Sequence, residues 1–195
     1  MQTKQHQIIG QFVQDLQIEG CVVQLSSYDR YFGTITAANI YDKLDEYNAK
    51  KQHLFYLPGV KNGLSKRAED KDITHRSHFT IDIDVRSAVE KAGGVCTNAD
   101  IWGNAANIIN QIDGTLFDKW RYVNFSGNGV HIHYFGNPVV IVNKNFYKHG
   151  LQELFKSFNG IVETLGLHAD LTCSDTGRIM RMLGSYNQKK DPPLL

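Results

Sequence analysis

The sequence has few cysteines, almost no net charge and no long apolar run. Its three cysteines, Cys21, Cys96 and Cys173, are widely separated and form no CxxC pair, which argues against a zinc motif or a disulfide framework and indicates a reducing compartment. With a formal net charge of +1, any nucleic-acid surface must be a local patch. No apolar run approaches the roughly 18 residues that cross a membrane, and the N-terminus is too polar for a signal peptide. These absences predict a cytoplasmic protein that does not act at a membrane.

The order of the predicted elements favours an α/β (α+β) fold. A chain of 195 residues is long enough for one domain with a substantial core. Strands and helices alternate irregularly, which is typical of a mixed, partly antiparallel sheet with helices on one face. Apolar spacing predicts four helices, which cover residues 2–17, 36–51, 98–116 and 145–167, with Thr36 as the cap of the second. It also predicts strands over 21–25, 53–57, 79–85, 121–125, 130–135 and 139–142.

The strand predicted over 79–85 carries the first candidate site. Apolar residues alternate there with Thr80, Asp82 and Asp84. Because successive side chains of a strand point to opposite faces, the three polar residues share the face away from the core. Two carboxylates at this spacing repel each other unless a cation lies between them, and oxygen ligands suit Mg²⁺ or Mn²⁺. The same pattern is also typical of a solvated strand face.

The second candidate is the turn 126–129, with the sequence SGNG, between two predicted strands. Its glycines allow backbone N–H groups to converge on an anion, and Ser126 and Asn128 add neutral donors. In the strand that follows, His131 and His133 share one face, and His131 is close enough to the turn to donate to the same phosphate. Such a turn is also common in ordinary hairpins, and strand histidines are often structural.

The third candidate is Asp170 with the basic segment that follows it. Arg178 and Arg181, three residues apart, can share a helical face and bind phosphates in a forked geometry, and Asn187 and Lys189 offer further donors. Basic segments near a chain end also commonly serve only solubility. Together, however, the three candidates supply the carboxylates for divalent ions and the donors for a triphosphate that phosphoryl transfer requires.

In combination, the three motifs resemble those of the archaeo-eukaryotic primase superfamily, which includes the primase-polymerases of plasmids, phages and CRISPR loci. The family's strand with two aspartates, its small-residue turn leading to a histidine and its later hydrophobic-Asp element match 81–84, 126–131 and 169–170. A family pattern, R-x-x-R-x-P-G-[ST]-x-N-x-K, matches 178–189, where Leu183 replaces the proline. The resemblance covers about residues 50 to 190.

The resemblance implies a template-dependent primase-polymerase that transfers nucleotides from NTPs or dNTPs to a primer on single-stranded DNA. Its fold would be one catalytic domain over 1–195, with a small N-terminal α/β unit (1–60) beside an RRM-like catalytic unit (61–190), and the chain could be a piece of a longer protein. The resemblance implies that two Mg²⁺ or Mn²⁺ ions are bound, and catalysis is carried out, at Asp82, Asp84 and Asp170. It implies nucleotide binding at Ser126, Asn128, Gly129, His131, Arg178, Arg181, Asn187 and Lys189, with His133 as an additional candidate. It implies template contact at Lys61, Lys66, Arg67 and Arg76.

Several alternatives remain open at this stage. Asp175 competes with Asp170 as the third carboxylate, although Asp170 follows an apolar approach and precedes the arginines by the usual distance. Tyr56 is a candidate for stacking on template bases. The domain could instead be a non-catalytic nucleic-acid-binding or replication-initiation module, or a metal-dependent nuclease. Further partners would be a C-terminal domain or the proteins of a replication or CRISPR system.

Overall fold

A computed structural model describes residues 4–27 and 30–185 and confirms a mixed α+β fold. The helix predicted over 98–116 buries Ile101, Ala105 and Ile108 on the face that the apolar spacing predicts. No helix within the described ranges is long and apolar enough to cross a membrane. The helices that the structure describes are α1 (Lys4–Asp15), α2 (Ile40–Ala49), α3 (Val85–Lys91), α4 (Asn98–Ile112) and α5 (Lys144–Val162).

The strands form two sheets in the described part of the chain. The strands are β1 (Cys21–Ser26), β2 (Tyr31–Ile35), β3 (Phe55–Lys61), β4 (His75–Ile83), β5 (Tyr122–Phe125), β6 (Val130–Val140) and β7 (Met180–Arg181). The sheet orders are β2-β1-β3-β7 and β4-β6-β5. Strand β1 pairs antiparallel with both β2 and β3, β3 pairs antiparallel with β7, and β5 and β6 form an antiparallel hairpin.

Two compact units make up the fold, and both are discontinuous in sequence. The first contains the described residues of 1–78 and 176–195 together with Gly136–Val142. The second contains Phe79–Phe135 and Asn143–Asp175. The strands β4 and β6 each contribute residues to both units, whereas the two parts implied by the resemblance are continuous stretches.

In the first unit, β3 continues through Pro58 and Gly59, where the sequence predicts that the strand ends. The register of the β1–β3 pair shifts at this point, since Val22 lies opposite Val60 but Gln24 lies opposite Leu57. A β-bulge accommodates a proline, which has no N–H to donate to the sheet, and also a glycine with positive φ. Gly59 has a φ of 70°. The bulge therefore lets this strand extend to Lys61.

Other boundaries differ from the sequence prediction for local reasons. Residues 130–140 form one strand rather than two, and α3 lies between the strand predicted over 79–85 and the helix predicted over 98–116. Helix α2 begins at Ile40 after Asn39, so Thr36 is not its cap. Instead, Thr36 accepts hydrogen bonds from the backbone N–H groups of Asn39 and Ile40 in the turn that precedes the helix.

Candidate metal and nucleotide site

The hairpin turn 126–129 lies directly against the end of β4, within the second unit. Its backbone closes with a 2.9 Å hydrogen bond from Ser126 N to Gly129 O, and Gly127 has a φ of 101°. The carbonyl of Asn128 accepts from the backbone N–H of Arg86 at 2.8 Å. The first two motifs that the sequence singles out are therefore joined by main-chain contacts.

Gly129 is required by this close approach. A Cβ built at this position would overlap the carbonyl oxygen of Ile83 and lie 2.9 Å from the backbone nitrogen of Val85. Both neighbours are backbone atoms, which cannot rotate away as a flexible side chain does. A larger residue would displace the turn from the aspartate strand.

Asp82 occupies the last part of β4, and its neighbours Ile81 and Ile83 are fully buried, as the alternation predicts. Its side chain is 28% exposed, and Oδ1 lies 3.5 Å from Nε2 of His131 on the adjacent strand β6. The His131 side chain is 5% exposed, and its Nδ1 has no hydrogen-bond partner among the residues that the structure describes. An imidazole and a carboxylate thus meet at the edge of the turn.

Asp170 is brought to Asp82 by the backbone. The N–H of Asp170 donates to the carbonyl of Asp82 at 2.8 Å, and Ile83 forms an antiparallel bridge with Ala169. The Asn159 side chain of α5 also accepts from the N–H of Ala169 at 2.5 Å. The third motif therefore extends the edge of the same sheet, although about 90 residues separate it from the first.

The Asp170 carboxylate begins a short 3₁₀-helix, Leu171–Ser174, as its N-cap. It accepts hydrogen bonds from the backbone N–H of Thr172 at 2.9 Å and from the Thr172 hydroxyl at 2.7 and 2.8 Å. These bonds orient the carboxylate. Asp175, the competing third ligand, instead pairs with Lys148 of α5 at 2.5 Å.

The donor set beside Asp82 fits a divalent cation. Potential ligand atoms of Asp82, Asp170 and Cys173 all lie within 4.8 Å of one another. Two carboxylates this close favour a cation between them, because each disfavours the charge on the other. Cys173 was not among the residues that the sequence indicated. Its position three residues after Asp170 becomes informative only with the 3₁₀-helix Leu171–Ser174, because side chains three apart are eclipsed in such a helix.

Asp84 departs from the arrangement that the alternation predicts. The strand ends at Ile83, and Asp84 is the exposed N-cap of α3. Its two carboxylate oxygens accept from the backbone N–H of Ser87 at 2.9 Å and from the Ser87 hydroxyl at 2.8 Å. A carboxylate that caps a helix satisfies an N–H group that would otherwise lack a partner. The role of Asp84 as a metal ligand stays a prediction.

His133 does not share the environment of His131. Its side chain is fully buried, with Nδ1 3.0 Å from the hydroxyl of Thr80 and Nε2 in a hydrogen bond with Asn124. Both ring nitrogens are therefore used inside the second unit. The expectation that His133 helps to bind phosphate does not fit this burial. Thr80 is 3% exposed, so the strand face that it shares is not open to solvent at this position.

The predicted basic cradle belongs to the first unit where the structure describes it. Arg178 is exposed. Arg181 lies in strand β7, so the shared helical face expected for the two arginines is wrong. Its Nη1 is 3.0 Å from Nδ1 of His53. Asn187 and Lys189 lie outside the described residues, and their phosphate contacts stay predictions.

The predicted template residues differ in exposure. Lys61 pairs with the buried carboxylate of Asp72 at 2.7 Å, and this bond, with a second from the Glu69 N–H, lowers the pKa of Asp72. Lys66 is exposed and pairs with Glu69 at 3.2 Å, and Arg67 is half-buried.

Two of the expected template contacts do not fit the structure. Arg76 is 6% exposed, and its guanidinium donates to the backbone carbonyls of Pro58 and Thr176 inside the first unit. Tyr56 is fully buried against Phe12. Base stacking and backbone phosphate contact both require exposure, so these two side chains serve the core instead.

No protein-family model matches the chain, and the curated proteins include no match to it.

Proposed function

We propose that this chain is a template-dependent primase-polymerase of the archaeo-eukaryotic primase type, which transfers nucleotides from NTPs or dNTPs. The supporting observation is the convergence of Asp82, Asp170 and His131 beside the turn 126–129, from three separate parts of the sequence. Nucleotidyl transfer needs carboxylates for divalent ions next to donors for a triphosphate, and this site supplies both.

In this proposal Asp82 and Asp170 hold Mg²⁺ or Mn²⁺, with Asp84 as the ligand of a second ion. When bound, such ions activate the attacking 3′-hydroxyl and neutralise the triphosphate. The backbone N–H groups of the turn, with Ser126, Asn128 and His131, bind the β- and γ-phosphates. The hydrogen bonds from Thr172 keep the Asp170 carboxylate in one orientation, which favours precise placement of the substrate.

The remaining contacts are proposed from the resemblance. Arg178, Arg181, Asn187 and Lys189 would bind the triphosphate or the template backbone. Lys61, Lys66 and Arg67 would contact a single-stranded DNA template or a primer-template. A cytoplasmic location, and partners from a replication or CRISPR system, belong to the same proposal.

Primer synthesis on a single-stranded template, with labelled nucleotides and either Mg²⁺ or Mn²⁺, tests the function. Asp82→Asn keeps the shape of the side chain but removes its charge, and we expect it to lower incorporation by about 10²-fold or more. The double variant Asp82→Ala with Asp84→Ala should abolish incorporation while leaving the fold largely intact. The matched control is Asp175→Asn, because Asp175 lies in the same unit but pairs with Lys148. It should retain activity within about twofold of the unaltered chain.

The outcomes separate three functions. If Asp82→Asn polymerised as well as the unaltered chain, the metal assignment would be wrong. If no product formed with any metal while single-stranded DNA still bound, the chain would be a binding or initiation module. Degradation of the template without added nucleotides would instead identify a nuclease.

A further inference from the structure

We propose that Cys173 is a metal ligand, and that its thiolate makes this site prefer a divalent transition-metal ion such as Co²⁺ or Zn²⁺ over Mg²⁺. The inference rests on the proposed function for the expectation that a divalent ion binds at Asp82 and Asp170. It adds a third donor of a different chemical type, and therefore a metal preference that an all-oxygen site would lack.

The local backbone places Cys173 beside Asp170. Residues Leu171–Ser174 form a 3₁₀-helix, and the N–H of Cys173 donates to the carbonyl of Asp170 at 3.1 Å. A 3₁₀-helix has three residues per turn, so the side chains of Asp170 and Cys173 lie on the same side. Cys173 Sγ is 3.9 Å from Asp170 Oδ2 and within 4.8 Å of a ligand atom of Asp82.

A second observation concerns His131, which is 4% exposed. Its Nε2 is directed at Asp82 but lies 3.5 Å from Oδ1, longer than the usual range for a hydrogen bond of this kind. Its Nδ1 has no partner within the described ranges. Buried polar groups are normally satisfied, so the unpartnered Nδ1 and the long Nε2–Oδ1 distance mark a buried imidazole with unused bonding capacity next to Asp82, where a bound ligand would supply it.

The chemistry of the donors determines the metal. Mg²⁺ is bound almost entirely by oxygen ligands in octahedral geometry, and a thiolate does not suit it. Zn²⁺ and its neighbours accept thiolate, imidazole and carboxylate ligands together. The competing explanation is that the thiol only donates a weak hydrogen bond to Asp170, in which case the site would show no preference derived from sulfur.

Titration with Co²⁺ distinguishes these explanations without relying on activity. A cobalt–thiolate bond produces a charge-transfer absorption in the near ultraviolet, which oxygen ligands alone do not give. We expect this band in the unaltered chain and its loss in Cys173→Ser, together with a decrease of about tenfold or more in the affinity for Co²⁺. The affinity for Mg²⁺ should change by less than about twofold.

Two matched controls carry the same substitution elsewhere. Cys96→Ser replaces a buried thiol in the same unit, where Sγ lies 3.5 Å from the carbonyl of Thr97. Cys21→Ser replaces a thiol 3.3 Å from Nδ1 of His75, a place where a sulfur and an imidazole meet. Both variants should keep the band. Its loss in Cys21→Ser instead of Cys173→Ser would overturn the proposal.

A measurement on the unaltered chain covers the case in which Cys173→Ser does not fold. Saturating Zn²⁺ should slow the alkylation of Cys173 by iodoacetamide, measured by peptide mass spectrometry, and leave the rate at Cys96 unchanged. Equal alkylation of Cys173 with and without Zn²⁺ would refute the inference.

Parallel incorporation assays separate the inference from the proposed function. Incorporation without a thiolate band would leave the function standing and remove Cys173 from the site. A band in a chain that incorporates no nucleotide with any metal would leave the metal site standing and remove the function.

Discussion

The contact between the turn 126–129 and the end of β4 can be tested with a single methyl group. In Gly129→Ala the new carbon overlaps the carbonyl oxygen of Ile83 and comes within 2.9 Å of the backbone nitrogen of Val85. Overpacking a well-packed site typically costs about 1–3 kcal/mol, because side chains or backbone must shift. Here both neighbours are backbone, so we expect a cost towards the upper end of that range.

The matched control is Gly103→Ala in the middle of α4, where nothing lies within 4 Å of the added carbon. Alanine is favoured over glycine in a helix interior by about 0.8–1 kcal/mol, so this variant should be more stable than the unaltered chain. The same chemical change therefore has opposite signs at the two positions. The expected difference between the variants is about 2–4 kcal/mol.

Thermal unfolding followed by circular dichroism provides the measurement. For a chain of this size, 1 kcal/mol corresponds to a shift of about 2–4 °C in Tm. Gly129→Ala should therefore unfold several degrees below the unaltered chain, and Gly103→Ala slightly above it. A Tm for Gly129→Ala equal to or above that of the unaltered chain would refute the close contact between the turn and the aspartate strand.

Two further predictions concern pH. Lys61 and a backbone N–H hold the pKa of Asp72 below its usual value in the folded chain. These two contacts therefore stabilise the folded chain above about pH 4, where Asp72 is ionised in the unfolded chain as well. This stabilisation is lost as the pH falls through the folded-state pKa of Asp72. In urea unfolding, Lys61→Met should be destabilised at pH 7 and approach the unaltered chain in acid, whereas Lys66→Met, in an exposed pair, should change little. Burial, followed by a nearby carboxylate, raises the pKa of Tyr134, whose hydroxyl donates to Phe117 O at 3.0 Å. The stability of the unaltered chain should therefore fall above about pH 10, where tyrosine ionises in the unfolded chain. The variant Tyr134→Phe should be about 1 kcal/mol less stable at pH 7, because it lacks the hydrogen bond, but its stability should decline less at alkaline pH.

The elements with a clear apolar period were predictable from the sequence. The buried face of α4 and the hairpin of β5 and β6 follow directly from 3.6- and 2-residue spacing and from the SGNG turn. The proximity of Asp82 and Asp170 was not predictable from these patterns, because it depends on main-chain pairing across about 90 residues. Only the order of the motifs, through the resemblance, indicated that the two would meet.

Asp84 shows why alternation alone was insufficient. The residues of the strand continue in alternating order to Val85, but the N–H and hydroxyl of Ser87 both bond to the Asp84 carboxylate. An aspartate three residues before a serine can cap a helix instead of continuing a strand, and Asp84 adopts the cap. The pattern Asp-x-x-Ser is visible in the sequence but carries little weight beside an apparent strand.

Arg76 and Cys173 illustrate two other limits of sequence patterns. A single arginine in a polar segment looks exposed, yet Arg76 is buried because backbone carbonyls satisfy its guanidinium. Cys173 lies in a segment without a clear period, and only the 3₁₀ turn reveals its neighbour Asp170. In both cases the deciding contacts involve backbone groups, which every residue type presents alike.

The hydrogen bond from the N–H of Asp170 to the carbonyl of Asp82 has a consequence for how the site can diversify. This bond, and the bridge between Ile83 and Ala169, use main-chain atoms, so they set the spacing of positions 82 and 170 whatever side chains stand there. Exchanging a carboxylate for a thiol, an imidazole or an amide would then change which ion binds while the distance between the positions stays nearly constant. The same backbone could serve as a scaffold for engineered metal sites whose selectivity is chosen by side chain alone.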